Sequence, residues 1–183
     1  MEEPLWKTDL NAACQRIKLV AMDVDGTLTD GRIYFTEQGD FIKSFDAADG
    51  WAFAAARKAG LILALATGRR SETVRRRARE FKVAPYNVIQ GMNNKGDALK
   101  KLCRLNNVTL EECAFIGDDY VDAAGLKVCG LPLAVANAPD EIKALAAHVS
   151  THSGGDSAVR ELLVWLLHEQ GKLKQVVDWY LAQ

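Results

Sequence analysis

Two aspartates one residue apart, Asp23-Val24-Asp25, end a short apolar run and lead at once into Gly26-Thr27. Residues i and i+2 of a strand share a face, and a turn at Gly26 lets both side chains enter one crevice. Two carboxylates this close repel, so a cation is expected beside them. A second acidic pair, Asp118-Asp119 after Gly117, can supply the remaining hard oxygen ligands. With no histidine or cysteine in either cluster, oxygen-only ligation favours Mg²⁺ over zinc. Thr67-Gly68 offers a hydroxyl and free backbone amides, which can hold phosphate oxygens. Lys95 opens a helical pattern, a position where a cation opposes the helix dipole. An anion facing it would account for its place. The plainer readings are a strand exit with a turn for Asp23 and Asp25, and a surface lysine for Lys95.

Each of these groups needs an element to carry it. Residues 17–22, 61–66, 86–89, 113–116 and 131–135 are apolar runs of strand length. Helical patterns cover 50–59, 71–81, 95–105, 139–147 and 156–168, the last opened by Asp156 or Ser157, and Thr109 with Glu112 makes a capping-box pattern across one turn. Strands alternating with helices of about ten residues predict an α/β fold, a Rossmann-like, doubly wound parallel sheet with helices on both faces. Ligands of such sheets sit beyond the carboxyl ends of the strands. The groups at 23–25, 67–68 and 118–119 all fall there. Residues 32–36 and 40–45 break the alternation: both are β-rich, and they flank Glu37-Gln38-Gly39, a hairpin signal.

A chain of 183 residues suits one domain. Its expected parts are an extension at 1–16, a domain at 17–170 with the hairpin flap at 31–45, and a tail at 171–183. Apolar residues make up 49% and charged residues 26%, as in soluble globular proteins. The formal charge of -1 provides no global attraction for nucleic acid or a membrane surface. The longest apolar runs are far short of a membrane span. Residues 1–10 carry Glu2, Glu3, Lys7 and Asp9 without an apolar core, unlike a secretory signal. Cys14, Cys103, Cys113 and Cys129 show no metal-binding spacing, and reduced thiols in a cytoplasmic protein are expected. Six arginines within 69–79 read mostly as a solvated helix face.

Taken in order, Asp23-Val24-Asp25-Gly26-Thr27, Thr67-Gly68, Lys95 and Gly117-Asp118-Asp119 resemble the four motifs of the haloacid-dehalogenase-like phosphohydrolases, across about residues 17–165. The resemblance implies that Asp23 is a nucleophile forming an aspartyl-phosphate and Asp25 the general acid/base, with Thr67 and Lys95 completing the catalytic set. It implies Mg²⁺ held by Asp23, the backbone carbonyl of Asp25 and Asp118, with Asp119 and Asp122 behind them. These roles are chemically coherent: a covalent intermediate splits one hard step into two, and a metal and a lysine stabilise the transferring charge. An acid two residues after the nucleophile favours a phosphatase over an ATPase pump.

Many members of that family insert a cap domain, and this chain has no room for one. Leu28-Thr29-Asp30-Gly31, the hairpin, and Asp46-Ala47-Ala48-Asp49-Gly50 resemble the capless, homotetrameric branch. That branch contains the 3-deoxy-D-manno-octulosonate 8-phosphate phosphatases of lipopolysaccharide synthesis. Thr67-Gly68-Arg69, Arg77, Gln90-Gly91, Asn94-Lys95 and Gly154-Gly155…Ala158-Val159-Arg160-Glu161 extend the likeness. It implies a sugar-acid phosphate bound by Asp46, Ala47, Ala48, Asp49, Gly50, Gly68, Arg69 and Arg77. It also implies subunits that cover one another's sites, the C-terminal segment of one reaching a neighbour. Two stretches depart from the branch. Asp46-Ala47-Ala48 stands where Asn or His and then Val-Arg are usual, and Asp156 where Arg or Lys follows the paired glycines. Each departure removes a cation that could hold a substrate carboxylate. A related nonulosonate 9-phosphate or another small phosphate ester therefore stays open as substrate. A non-catalytic binding module is a further alternative, against which both motif aspartates are present. A phosphatase for protein or nucleic acid would suit an open site, but not the near-neutral charge.

Overall fold

A strand that is apolar on both faces needs cover on both, and the runs at 61–66 and 113–116 are apolar throughout. The structure is a computed structural model and describes residues 4–37 and 41–183. Strands β1 (Leu19–Met22), β4 (Ile62–Thr67), β5 (Val88–Gln90), β6 (Cys113–Gly117), β7 (Leu131–Ala134) and β8 (His148–Val149) form one sheet in the order β5-β4-β1-β6-β7-β8. Every pairing in it is parallel. β2 (Tyr34–Phe35) and β3 (Phe41–Ile42) pair antiparallel as a separate ribbon. Gln38 and Gly39 of the expected turn, with Asp40, lie outside the described residues, as do residues 1–3 of the expected extension.

Residue parity divides the core into two layers. Val20 and Met22 of β1 face one side, with α2 (Leu10–Arg16), α3 (Asp49–Lys58), α4 (Glu72–Glu80) and α8 (Ala158–Glu169). Leu19 and Ala21 face the other, with α5 (Lys95–Asn106), α6 (Ala123–Leu126) and α7 (Asp140–Lys143). On the first side Phe53 and Phe81 stack with ring centroids 3.9 Å apart. The chain adds strands outward from β1 in one direction and then returns to add β6, β7 and β8 in the other. β1 is thus the switch point, where doubly wound sheets open their binding crevice.

The expected strands and helices are present with small shifts at their ends, and four stretches differ in kind. Residues 139–147 are not one helix. Only α7 is helical, and β8 follows because Ala147 and Ser150 donate to Pro132 and Ala134 across the open edge of β7, at 2.8 and 3.0 Å. Residues 85–87 form a 3₁₀ turn that starts at a proline, so β5 begins only at Val88. The extension holds α1 (Leu5–Thr8) and α2, and Gln170 ties it down by donating from Nε2 to the carbonyls of Cys14 and Ile17 at 2.8 and 2.9 Å. The tail forms α9 (Leu173–Leu181), which buries Val176 and brings Tyr180 to 5.9 Å from Trp51. It docks on its own domain. The capping box of Thr109 and Glu112 is present over a single 3₁₀ turn. The four cysteines are free and buried, and among the described residues no helix is long and apolar enough to cross a membrane.

Candidate active site

The site is built from three strand ends and one helix start. Asp23 follows β1, and its N–H extends the ladder by donating to Ile116 at 3.0 Å. The chain then folds tightly: Leu28 and Thr29 both donate to the Val24 carbonyl at 3.0 Å, and the Thr29 hydroxyl accepts from Gly26 and Gly31 at 3.3 and 3.2 Å. Gly26 sits at φ +101, and a Cβ there would lie 2.0 Å from Asp118 Oδ2. Glycine is the residue that allows this backbone conformation and this close approach. Thr27 completes the junction by donating from Oγ1 to Asp118 Oδ1 at 2.8 Å.

Gly154 packs on the same loop from the other side. Its N–H donates to Asn137 Oδ1 at 2.7 Å, and a Cβ on it would lie 1.8 Å from the Gly26 carbonyl oxygen. Gly154→Ala should therefore displace the loop that carries Asp23 and Asp25. A loss of roughly 1–3 kcal/mol is expected, the usual range for overpacking, together with a drop in turnover larger than any change in KM. Thermal melting and steady-state kinetics of the variant check both.

Lys95 is the first residue of α5, whose N-cap Asn94 accepts from Asp97 at 3.2 Å. Its side chain is 2% exposed, and its ammonium bridges Asp23 Oδ1 and Asp122 Oδ1, the latter at 2.7 Å. The surface-lysine reading is excluded, and the anion that offsets the helix dipole is this pair of carboxylates. Asp122 Oδ2 accepts from the backbone N–H groups of Asp118 and Asp119 at 2.9 and 3.3 Å. Asp122 thus fixes both the lysine and the acidic loop. Asp119 accepts from Tyr120 at 2.7 Å and lines the cavity.

Burial pushes the Asp23 carboxyl up to about 6, against the pull of Lys95 and with the push of Asp122. Burial likewise raises Asp118 to about 7, opposed by the Thr27 hydroxyl and helped by Asp23. Burial disfavours the Lys95 ammonium, but Asp23 and Asp122 outweigh it and raise its pKa. The site therefore holds more carboxylate than one lysine neutralises. Carboxylate oxygens of Asp23, Asp118 and Asp122 lie within 4.8 Å of one another. Those of Asp122 are engaged by Lys95 and two backbone amides; Asp23 gives Oδ1 to Lys95 and Asp118 gives Oδ1 to Thr27, which leaves each of these two a second oxygen for a cation. A hard dication fits this oxygen-only set.

A cavity of about 540 Å³ opens over these groups, lined by Asp23, Asp25, Thr67, Gly68, Arg69 and Lys95. The Thr67 hydroxyl accepts from the Arg69 N–H at 3.2 Å. Asn93, Ile33 and Val121 also line the cavity and were not singled out by sequence; Asn93 Oδ1 stands where a Cβ on Gly68 would come within 2.8 Å. Lys43 was missed as well, although it is buried and paired with Asp25. Its signal was legible: it is the one charged residue within the apolar and hydroxyl run 41–45.

Of the residues expected to bind substrate, Gly68 and Arg69 line this cavity, whereas Asp46, Ala47, Ala48, Asp49, Gly50 and Arg77 do not. These six form a separate cluster that anchors the start of α3. Asp46 accepts from Ala48 at 2.8 Å and from the Ser157 hydroxyl at 2.6 Å. Asp49 accepts from the Arg160 N–H at 2.9 Å. Arg77 donates to the Asp46 carbonyl at 2.8 Å and lies 4.2 Å over the Phe81 ring. The Asp46 and Asp49 carboxylates are thus tied to the start of α8. The other arginines of α4 form the expected solvated face, with Arg75, Arg76 and Arg79 paired to Glu72 and Glu80.

Comparison with known proteins agrees with this geometry. Residues 86–163 match the model of the haloacid dehalogenase-like hydrolases. The chain is 37% identical over 158 residues to the 3-deoxy-D-manno-octulosonate 8-phosphate phosphatase of Haemophilus influenzae, covering 86% of this chain and 87% of the relative. It is similar to the solved structure of the corresponding phosphatase of Moraxella catarrhalis in complex with a magnesium ion, a phosphate ion and a KDO molecule. There the TM-score is 0.90 at 35% identity, over 94% of this chain and 98% of that one. The cobalt-bound form of the Haemophilus influenzae enzyme superposes with a TM-score of 0.84 at 37% identity, over 88% and 93% of the two chains.

Proposed function

The chain belongs to the haloacid dehalogenase-like hydrolases, and on that premise we propose that it hydrolyses 3-deoxy-D-manno-octulosonate 8-phosphate to the free sugar acid and phosphate in lipopolysaccharide synthesis. The observation that carries the reading is the placement of Asp23, Asp25, Thr67 and Lys95 around one cavity, in a chain 37% identical to a phosphatase of that name. Asp23, held by Lys95, attacks phosphorus and forms an aspartyl-phosphate. Asp25, on the same side of the cavity, gives a proton to the departing sugar oxygen and then takes one from the water that frees the phosphate. Thr67 and the amide at 68 hold phosphoryl oxygens, and Lys95 balances their charge. Gly68 and Arg69 form the wall nearest the sugar.

Mg²⁺ would be held by the carboxylates of Asp23 and Asp118 and the backbone carbonyl of Asp25; when bound, it supplies charge stabilisation to the transferring phosphoryl group. Asp119 and Asp122 support that set from behind. Phosphate release from the octulosonate ester, a nonulosonate 9-phosphate and simple phosphate monoesters, each with Mg²⁺ and with EDTA, tests the reading. The highest kcat/KM is expected for the octulosonate ester, and EDTA should abolish release from every one. A uniform low rate across the panel would leave the substrate assignment without support.

The raised carboxyls make a pH prediction. An acid whose folded pKa lies above its unfolded value favours the fold when protonated, so this stabilisation is present below about pH 4 and is lost as pH rises through about 6 for Asp23 and 7 for Asp118. Metal binding needs the ionised forms. The gain in melting temperature on adding Mg²⁺ should therefore be large at pH 8 and small at pH 5. An equal gain at both would contradict these two carboxylates as ligands.

A homotetramer is the proposed assembly. Tyr34, Phe35 and Ile42 of the ribbon are 50, 69 and 54% exposed. A two-stranded ribbon is marginal alone in water, and closed symmetry is the common way to cover such a face. Light scattering should give four times the chain mass; a monomeric mass with full activity would refute this. The four free, buried cysteines support a reducing, cytoplasmic setting.

A further inference from the structure

Asp25 is held by a lysine that belongs to the flap. Lys43 directly follows β3, its side chain is 1% exposed, and its ammonium pairs with Asp25 Oδ1. Arg69 approaches the other oxygen: its Nε lies 3.8 Å from Oδ2, and its side chain is 59% exposed. Lys43 does not line the cavity that holds Asp23 and Lys95. It borders a separate, smaller recess with Arg69, Arg70 and Ser71. A buried ammonium requires its counter-charge. The pair therefore persists as long as the flap is seated, whereas Arg69 is free to turn to solvent or substrate.

We infer that Lys43 is a positioning residue that acts through Asp25. It occupies Oδ1, which leaves Oδ2, 3.8 Å from Arg69 Nε, for the two proton transfers. In the first, the bond from phosphorus to the sugar oxygen breaks as one to Asp23 forms, and the proton on Asp25 goes to the sugar oxygen. In the second, water adds to phosphorus, the bond to Asp23 breaks, and the water proton goes to Asp25. Lys43 neither gives nor receives a proton. Because it is part of the hairpin stem, the position of the flap sets the aim of the acid/base. This rests on the phosphatase reading above.

The test compares Lys43→Met and Lys43→Arg in the wild-type and Asp25→Asn backgrounds. In the wild-type background, Lys43→Met should lower kcat on an alkyl phosphate roughly tenfold or more, a modest share of what general acid–base catalysis contributes, with KM changed less than about twofold. Lys43→Arg should recover part of the loss. In the Asp25→Asn background, Lys43→Met should change residual turnover no further, since residues acting as one unit are non-additive. p-Nitrophenyl phosphate separates the steps. Its leaving group needs no proton, so rapid-quench traces of Lys43→Met should keep the nitrophenolate burst and then show a slowed steady state. Melting curves provide an arm independent of activity: Lys43→Met added to Asp25→Asn should raise Tm, because it removes a buried ammonium left unpaired. An unchanged kcat, an effect confined to KM, or equal losses in both backgrounds would overturn the inference. An inactive wild type would instead overturn the phosphatase reading, while the melting comparison would still report on the pair.

Discussion

Asp23→Asn is expected to lower kcat by about 10⁴- to 10⁶-fold, the loss seen when a covalent nucleophile is removed. An amide cannot attack phosphorus and offers the metal one poor oxygen in place of a carboxylate. The fold should survive. Asp23 is buried, and that burial pushes its carboxyl up to about 6, so a neutral amide of the same shape removes a desolvation penalty. Lys95 would still pair with Asp122 at 2.7 Å. Equal or higher Tm with loss of turnover is the expected signature. Turnover near the wild-type rate, in a preparation shown by mass spectrometry to be free of deamidated protein, would contradict the assignment.

Lys95→Met should be damaging in two ways. The substitution keeps length and apolar volume but leaves the Asp23 and Asp122 carboxylates, both buried, facing each other without their cation. Removing one partner of a buried ion pair costs about 3–5 kcal/mol. The Asp23 carboxyl, already raised by burial, loses the pull of Lys95 and should titrate higher still, so the variant's stability should fall more steeply than the wild type's as pH rises from about 5 to 8. Activity should fall about 10²- to 10³-fold in kcat/KM, the usual result of losing one stabiliser of transferring charge, with both KM and kcat affected. Circular dichroism melts at the two pH values, with kinetics at the lower one where the variant folds, separate the two effects. Unchanged kcat/KM in a folded variant would remove Lys95 from the phosphate site.

The site was legible because strand ends are legible. Asp23, Thr67 and Asp118 each follow an apolar run that forms β1, β4 or β6, and parallel topology brings such ends together. Lys95 could be placed because a cation at a helix start is electrostatically anomalous. What escaped is long-range. β8 is two residues long and exists because β7 has an open edge; nothing in the alanine-rich stretch before it signals a strand. The partners of the 46–50 segment, Ser157 and Arg160, come from the start of α8, contacts that only the docking of α8 on α3 decides. Lys43 is hard to single out in sequence because the hydrophobic pattern and turn of its ribbon dominate the signal. The charged residue within that pattern is the informative one.

The central claim is that phosphate passes through Asp23, and chemical trapping addresses it most directly. The protein with Mg²⁺ is mixed with 3-deoxy-D-manno-octulosonate 8-phosphate, quenched within milliseconds, and reduced with borohydride, which converts an acyl phosphate on aspartate to homoserine. Peptide mapping should find homoserine at position 23 and at no other aspartate. It should be absent without substrate. Robust turnover of the ester with no modification at position 23, under conditions that trap it in a known aspartyl-phosphate enzyme, would contradict the account.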